Sequence, residues 1–94
     1  MDIQHEAHDH KGEFFYEKAG RKVGKMTYSM AGTHKMIIDH TEVDESERGE
    51  HVGVNLVKAG VDYAREKEIQ ILPLCPFAAA ILKKKTEWRD VLVK

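Results

Sequence analysis

Four groups of residues in this chain have types and spacings that could do chemistry. The first is Arg48-Gly49-Glu50-His51-Val52-Gly53, lying between a strand-like run and a helical one. Such a turn directs successive backbone N–H groups into one concavity at the positive end of a helix, a place for a phosphate or pyrophosphate. Gly49 and Gly53 let the backbone come close, and Arg48 adds fixed positive charge. The same pattern also suits a tight turn with close helix packing, and by itself does not choose. It is neither a P-loop, lacking Gly-Lys-Ser/Thr, nor a dinucleotide turn with three spaced glycines. The second group is Cys75 ahead of Pro76-Phe77, where a helix start would lower a thiol's pKa. The third is His40 and Glu42, two residues apart and so on one face of a strand. They could share a base role or simply form a solvated rim. The fourth is His5, His8 and His10, in a terminal stretch without the fixed geometry of a metal site, so no metal is expected.

The elements that must position these groups follow from periodicity. Glu13–Lys18 is rich in aromatics and reads as a strand ending at the Ala19-Gly20 turn. Arg21–Met30 places Met26, Tyr28 and Met30 at period two, and His34–Val43 carries Met36, Ile37 and Ile38. Short turns join these three strands into an antiparallel meander. After an acidic loop, Val52, Leu56, Ala59 and Tyr63 fall at helical spacing, predicting a helix to about Glu66. Ile69–Leu74 suits a covered strand, so strand, helix and strand make a parallel pair. Phe77–Lys85 reads as the last helix, with Trp88, Val91 and Leu92 packing in a final short helix or edge strand. Pro73 cannot donate to a ladder, so the parallel pair should part there and leave backbone groups facing a cleft. The expected architecture is an α/β (α+β) mixed sheet, an antiparallel meander and then a parallel β-α-β unit with splayed strands and a C-terminal helix.

The 94 residues predict one domain, 1–94, whose first twelve residues either fray or form an edge. A net charge of −1 gives no global field toward nucleic acid or an anionic membrane, so neither is expected as a partner. No signal-peptide pattern or membrane-length apolar run occurs. The single cysteine excludes an internal disulfide and fits a reducing cytoplasm.

The Arg-x-x-x-x-Gly turn, after a strand ending His40-Thr41-Glu42-Val43, resembles the pyrophosphate loop of the GNAT superfamily of acetyl-CoA-dependent N-acetyltransferases. The stretch from Leu56 to Arg65 resembles its helix. Ile71-Leu72-Pro73-Leu74-Cys75-Pro76-Phe77 resembles the next strand and turn of a small branch of minimal members. The resemblance covers roughly residues 13–92, and the motifs in order are more specific than any one of them. It implies a GNAT-like mixed sheet, with the pantetheine arm of acetyl-CoA between the splayed strands. It also implies that Glu42 and Val43 offer backbone groups to pantetheine. Arg48, Gly49, Glu50, His51, Val52, Gly53 and Val54 would hold the pyrophosphate. Lys83 and Lys84, equally at home on a solvated helix face, would meet the nucleotide phosphates.

Three departures from the pattern matter. His51 stands where the superfamily usually has Gly, narrowing the approach while keeping the N–H; replacing it by Gly should keep or tighten binding at some cost in helix stability. The usual tyrosine acid aligns with Ile81, and the helices that cradle the acceptor are missing. Cys75 is the natural substitute, accepting the acetyl group or protonating the departing thiolate, against the plainer reading of a small residue packed on Phe77. The implied function is acetyl transfer to an amine acceptor, a small molecule or a protein amine. A CoA or acyl-CoA binding module without turnover is the alternative. A thiol-based redox sensor would need a second cysteine from another chain.

Overall fold

The computed structural model describes residues 1–93. Five strands form one sheet in chain order: β1 (Ile3–His8), β2 (Lys11–Lys18), β3 (Arg21–Met30), β4 (Lys35–Val43) and β5 (Gln70–Pro73). The first four pair antiparallel and β5 pairs parallel to β4. This parallel pair is possible because α1 (Val52–Lys67) supplies the long crossover. A second helix, α2 (Pro76–Lys84), follows β5, with Pro76 in the first turn where its missing N–H is not needed. A 3₁₀ helix, Thr86–Val91, then leads to Leu92, which bridges Ile71 on the far side of β5.

Period-two burial places Phe14, Met26, Tyr28, Met36, Ile38 and Ile71 on one sheet face, and both helices pack there through Val52, Leu56, Val57, Val61, Ala78 and Leu82. Neither α1 nor α2 packs on the opposite face. The first residues form the edge strand β1, which His5 fastens to the core: its ring stacks on Phe14 at 4.2 Å and its Nε2 lies 2.5 Å from the Tyr28 hydroxyl. Gly24, within β3, is where α1 comes down on the sheet, since a Cβ there would overlap Val52.

Two irregularities determine the site. β4 holds one extra residue, because Tyr28 faces Ile38 while Thr27 faces His40, leaving Asp39 without a partner. The bulge exchanges the two faces of the strand beyond it. Thr41, opposite Met26, and Val43, opposite Gly24, therefore face the helices, whereas His40 and Glu42 face away. The second irregularity is the parting of β4 and β5. Their ladder ends at Ile38 and Pro73, and the amides of Leu74 and Cys75 both turn back to the Ile38 carbonyl, at 2.9 and 3.1 Å. Beyond that point β4 is paired only to β3.

Candidate active site

The stretch of β4 beyond the parting borders a cavity of about 880 Å³. The start of β3, the end of β4, the loop from Asp44 to His51, the first turn of α1 and Phe77 at the start of α2 surround it. Its volume falls within the span usual for small-molecule sites, roughly 300–1,000 Å³.

Backbone direction follows from the β3–β4 ladder. The Asp44 amide donates to the Val23 carbonyl at 2.7 Å, so alternate residues Glu42 and Asp44 spend their backbone groups on β3. Thr41 and Val43 point theirs to the open edge. Of the two backbones expected to meet pantetheine, Val43 directs its groups to the open edge, whereas the Glu42 amide and carbonyl are directed to Lys25 and are not open to a ligand.

The loop between β4 and α1 is pinned at two points. Asp44 holds Arg21 at 2.6 Å and accepts from the Ser46 amide at 3.1 Å. The Ser46 amide, then the Arg21 guanidinium, keep the Asp44 carboxyl below the usual carboxylate range. Glu47 is buried and receives Lys18 Nζ at 3.3 Å. Arg48 is exposed and has no ion-pair partner among the described residues. Gly49 takes φ +85°, which an L side chain would strain.

His51 is the N-cap of α1 and is itself left-handed, φ 62° and ψ 25°, with no side-chain capping bond. The amides of Val52, Gly53 and Val54 have no carbonyl a turn earlier to receive them, and no acid lies in this first turn. The helix therefore presents free donors and its positive end to the cavity. Gly53 is buried because the Phe77 ring lies on it; a Cβ there would overlap the ring. Glu50 is in the turn but not on the cavity wall, and its amide is spent on the Glu47 carbonyl at 3.1 Å.

Cys75 is 5% exposed and lies behind Thr41, with its thiol donating to Thr41 Oγ1 at 3.4 Å. Thr41 lines the cavity and Cys75 does not. Burial is the strongest influence on the thiol and raises its pKa. The Thr41 hydroxyl and the amides of Ala78, Phe77 and Thr41 outweigh it and bring the thiol below its ordinary value. No first-turn amide closes a capping bond of full geometry, so the effect is a sum of partial ones.

His40 and Glu42 bond to each other at 2.9 Å on the far face of β4, both exposed. The His40 ring, then the Lys25 ammonium, hold the Glu42 carboxyl below the carboxylate range, which weakens it as a base. Glu42 reaches the cavity rim; His40 does not. Neither shares a face with Cys75. Lys83 and Lys84 lie in the last turn of α2, about 9 Å along the axis from Phe77, and do not line the cavity. There they complement the helix's negative end. Among the wall residues, Lys22, Val23, Gly24, Lys25, Thr41, Asp44, Glu47 and Phe77 had no binding role expected from the sequence. Gly24 inside a strand was the one available signal.

The family model for GCN5-related N-acetyl-transferases matches residues 13–91. A GCN5-like protein from Staphylococcus aureus, solved in solution, is 31% identical, superimposes with a TM-score of 0.74, and is matched over 98% of this chain and 87% of its own. More distant likenesses show the fold alone. A ribosomal-protein-alanine N-acetyltransferase from Brucella melitensis biovar Abortus 2308 is 15% identical, TM-score 0.63, over 90% of this chain and 63% of that one. An aminoglycoside N-acetyltransferase in complex with CoA is 14% identical, TM-score 0.64, over 93% and 89%. No curated protein matches the sequence.

Proposed function

The chain belongs to the GCN5-related N-acetyl-transferase family, and from that premise we propose how its residues carry an acetyl group from acetyl-CoA to an amine. Residues 1–94 act as one minimal domain of the branch that bears Pro73-Leu74-Cys75-Pro76-Phe77. No helix among the described residues is long and apolar enough to cross a membrane. With its lone free thiol, that is compatible with work in the cytoplasm.

The observation that carries the reading is the joining of an opened strand edge to an uncapped helix N-terminus in one cavity. The pyrophosphate takes the amides of Val52, Gly53 and Val54, with Gly49 and His51 shaping the approach and Arg48 supplying charge. Pantetheine runs along β4 on the backbone of Val43, as a strand would. The thioester carbonyl then lies beside the opened β4 edge, whose amides stabilise the oxyanion as the amine attacks. A neutral amine attacks directly, a reading supported by the absence of the Cys75 sulfur from the cavity wall. Cys75 serves instead as the source of the proton that the departing CoA thiolate takes up. His40 and Glu42, on the open far face, receive the acceptor's proton through solvent. The acceptor is an amine approaching that same face.

Titration with CoA, followed by amide exchange, tests the site. Protection is expected at Gly49 to Val54 and at Val43, with little change at Lys83 and Lys84. Protection confined to the C-terminal turn of α2 would overturn the placement.

A further inference from the structure

Thr41 lines the cavity and carries the hydroxyl that meets the Cys75 thiol, while Phe77, another wall residue beside Cys75, offers the sulfur only its backbone amide. The Thr41 hydroxyl accepts the thiol at 3.4 Å, and the residue forms part of the wall from which the sulfur is excluded. It stands there because of the bulge at Asp39: with an unbroken alternation from Met36 and Ile38, His40 would face inward and Thr41 outward. The inward turn also aims the Thr41 amide at the Cys75 sulfur.

We propose that the Thr41 hydroxyl delivers the proton to the departing CoA thiolate and is refilled by the Cys75 thiol, so that the two residues form one proton relay. This rests on the acetyl-transfer reading above. As the carbon–sulfur bond breaks, its electron pair goes to the CoA sulfur. That sulfur takes the hydroxyl proton of Thr41, and Thr41 Oγ1 takes the thiol proton of Cys75. The Cys75 thiolate that remains faces the amides of Thr41, Phe77 and Ala78 at the start of α2, which suits a negative charge. The amine loses one proton in becoming an amide. Returned through solvent, that proton restores Cys75, and the products are the amide and free CoA thiol. A thiol held below its ordinary pKa gives up its proton more readily, so the electrostatics and the direction of transfer agree.

A double-mutant cycle on the full chain tests the relay, with acetyl-CoA and hydroxylamine, a small amine that needs no acceptor pocket. Enzyme-dependent CoA release is the readout. Thr41→Val, nearly isosteric, should lower kcat on the order of 10²-fold with KM for acetyl-CoA within twofold. Thr41→Ser should recover most of the rate, and Cys75→Ala should fall as far as Thr41→Val. The double variant should lose no more than either single one, because both changes cut one path. Losses that multiply would overturn the relay and leave Cys75 as an independent acid. Loss in Thr41→Val with full rate in Cys75→Ala would overturn both the relay and the acid role of Cys75. Wild-type protein that releases no CoA above background would overturn the acetyl-transfer reading beneath them. If Thr41→Val does not fold by circular dichroism, Thr41→Ala replaces it in the same cycle.

Discussion

Replacing His51 by Gly tests how the cofactor turn is built. His51 holds φ 62° at the start of α1, with an exposed side chain that makes no capping bond. A left-handed conformation costs an L residue about 1–2 kcal/mol, and glycine escapes that cost. Glycine's greater freedom in the unfolded chain takes back about 0.5–1 kcal/mol. The net is a gain of about 0–1.5 kcal/mol, against the loss expected from glycine's flexibility near a helix start. For a domain of this size 1 kcal/mol corresponds to about 4–8 °C, so Tm should hold or rise by up to about 12 °C. The imidazole also stands on the cavity wall, so its removal should leave CoA affinity unchanged or improved. Thermal melting by circular dichroism and calorimetric titration with CoA give the two quantities. A lower Tm would refute the strain argument. A large loss of affinity in a folded variant would show that the imidazole itself holds the cofactor.

Arg48→Glu should weaken CoA binding by about 1–3 kcal/mol, the span for a charge-assisted bond to phosphate, in the same titration; unchanged affinity would mean that Arg48 only shapes the loop. Gly53→Ala should displace the Phe77 ring and lower both CoA affinity and Tm, whereas Gly53→Ala with Phe77→Ala should regain part of the affinity; no change in the single variant would contradict the packing described. Acidification should loosen β1. Burial keeps the His5 pKa below its ordinary value, and burial, then Tyr63, pushes the Tyr28 hydroxyl up to about 12, so neutral His5 with neutral Tyr28 is the folded pair. The unfolded chain therefore takes up a proton first, near pH 6.5, and stability should fall as pH drops from there through the folded His5 value. His5→Phe should flatten that part of a denaturation-versus-pH curve, and an unaltered slope would refute the assignment.

Much of the architecture was legible because each element carries a strong period. Met26, Tyr28 and Met30 announce β3, Val52, Leu56 and Tyr63 announce α1, and Pro73 marks where the parallel ladder ends. The turn at the start of α1 was legible as a turn, since Gly49 and Gly53 flank the helix start. Glycines there serve a tight turn and close helix packing as readily as a phosphate. The bulge at Asp39 was not legible. Nothing in Ile38-Asp39-His40-Thr41 signals an extra residue, and the bulge alone sets which side chains enter the cleft. Period two drew attention to His40 and Glu42 and passed over Thr41 between them. The left-handed state of His51 was equally hidden, since backbone sign at a single position is decided by the loop and helix on either side. Lys83 and Lys84 stay ambiguous in the sequence because a lysine pair at a helix end answers the helix dipole as well as it answers a phosphate.

The central claim, acetyl transfer at the cavity between β4 and α1, is tested most directly by turnover. The chain is incubated with acetyl-CoA and a panel of amines, and CoA release and the mass of each amine are recorded together. The account predicts that at least one amine gains an acetyl group in step with released CoA, and that the protein itself retains none. Cofactor bound at the turn from Arg48 to Val54, with no amine-dependent release of CoA from any member of the panel, would contradict it.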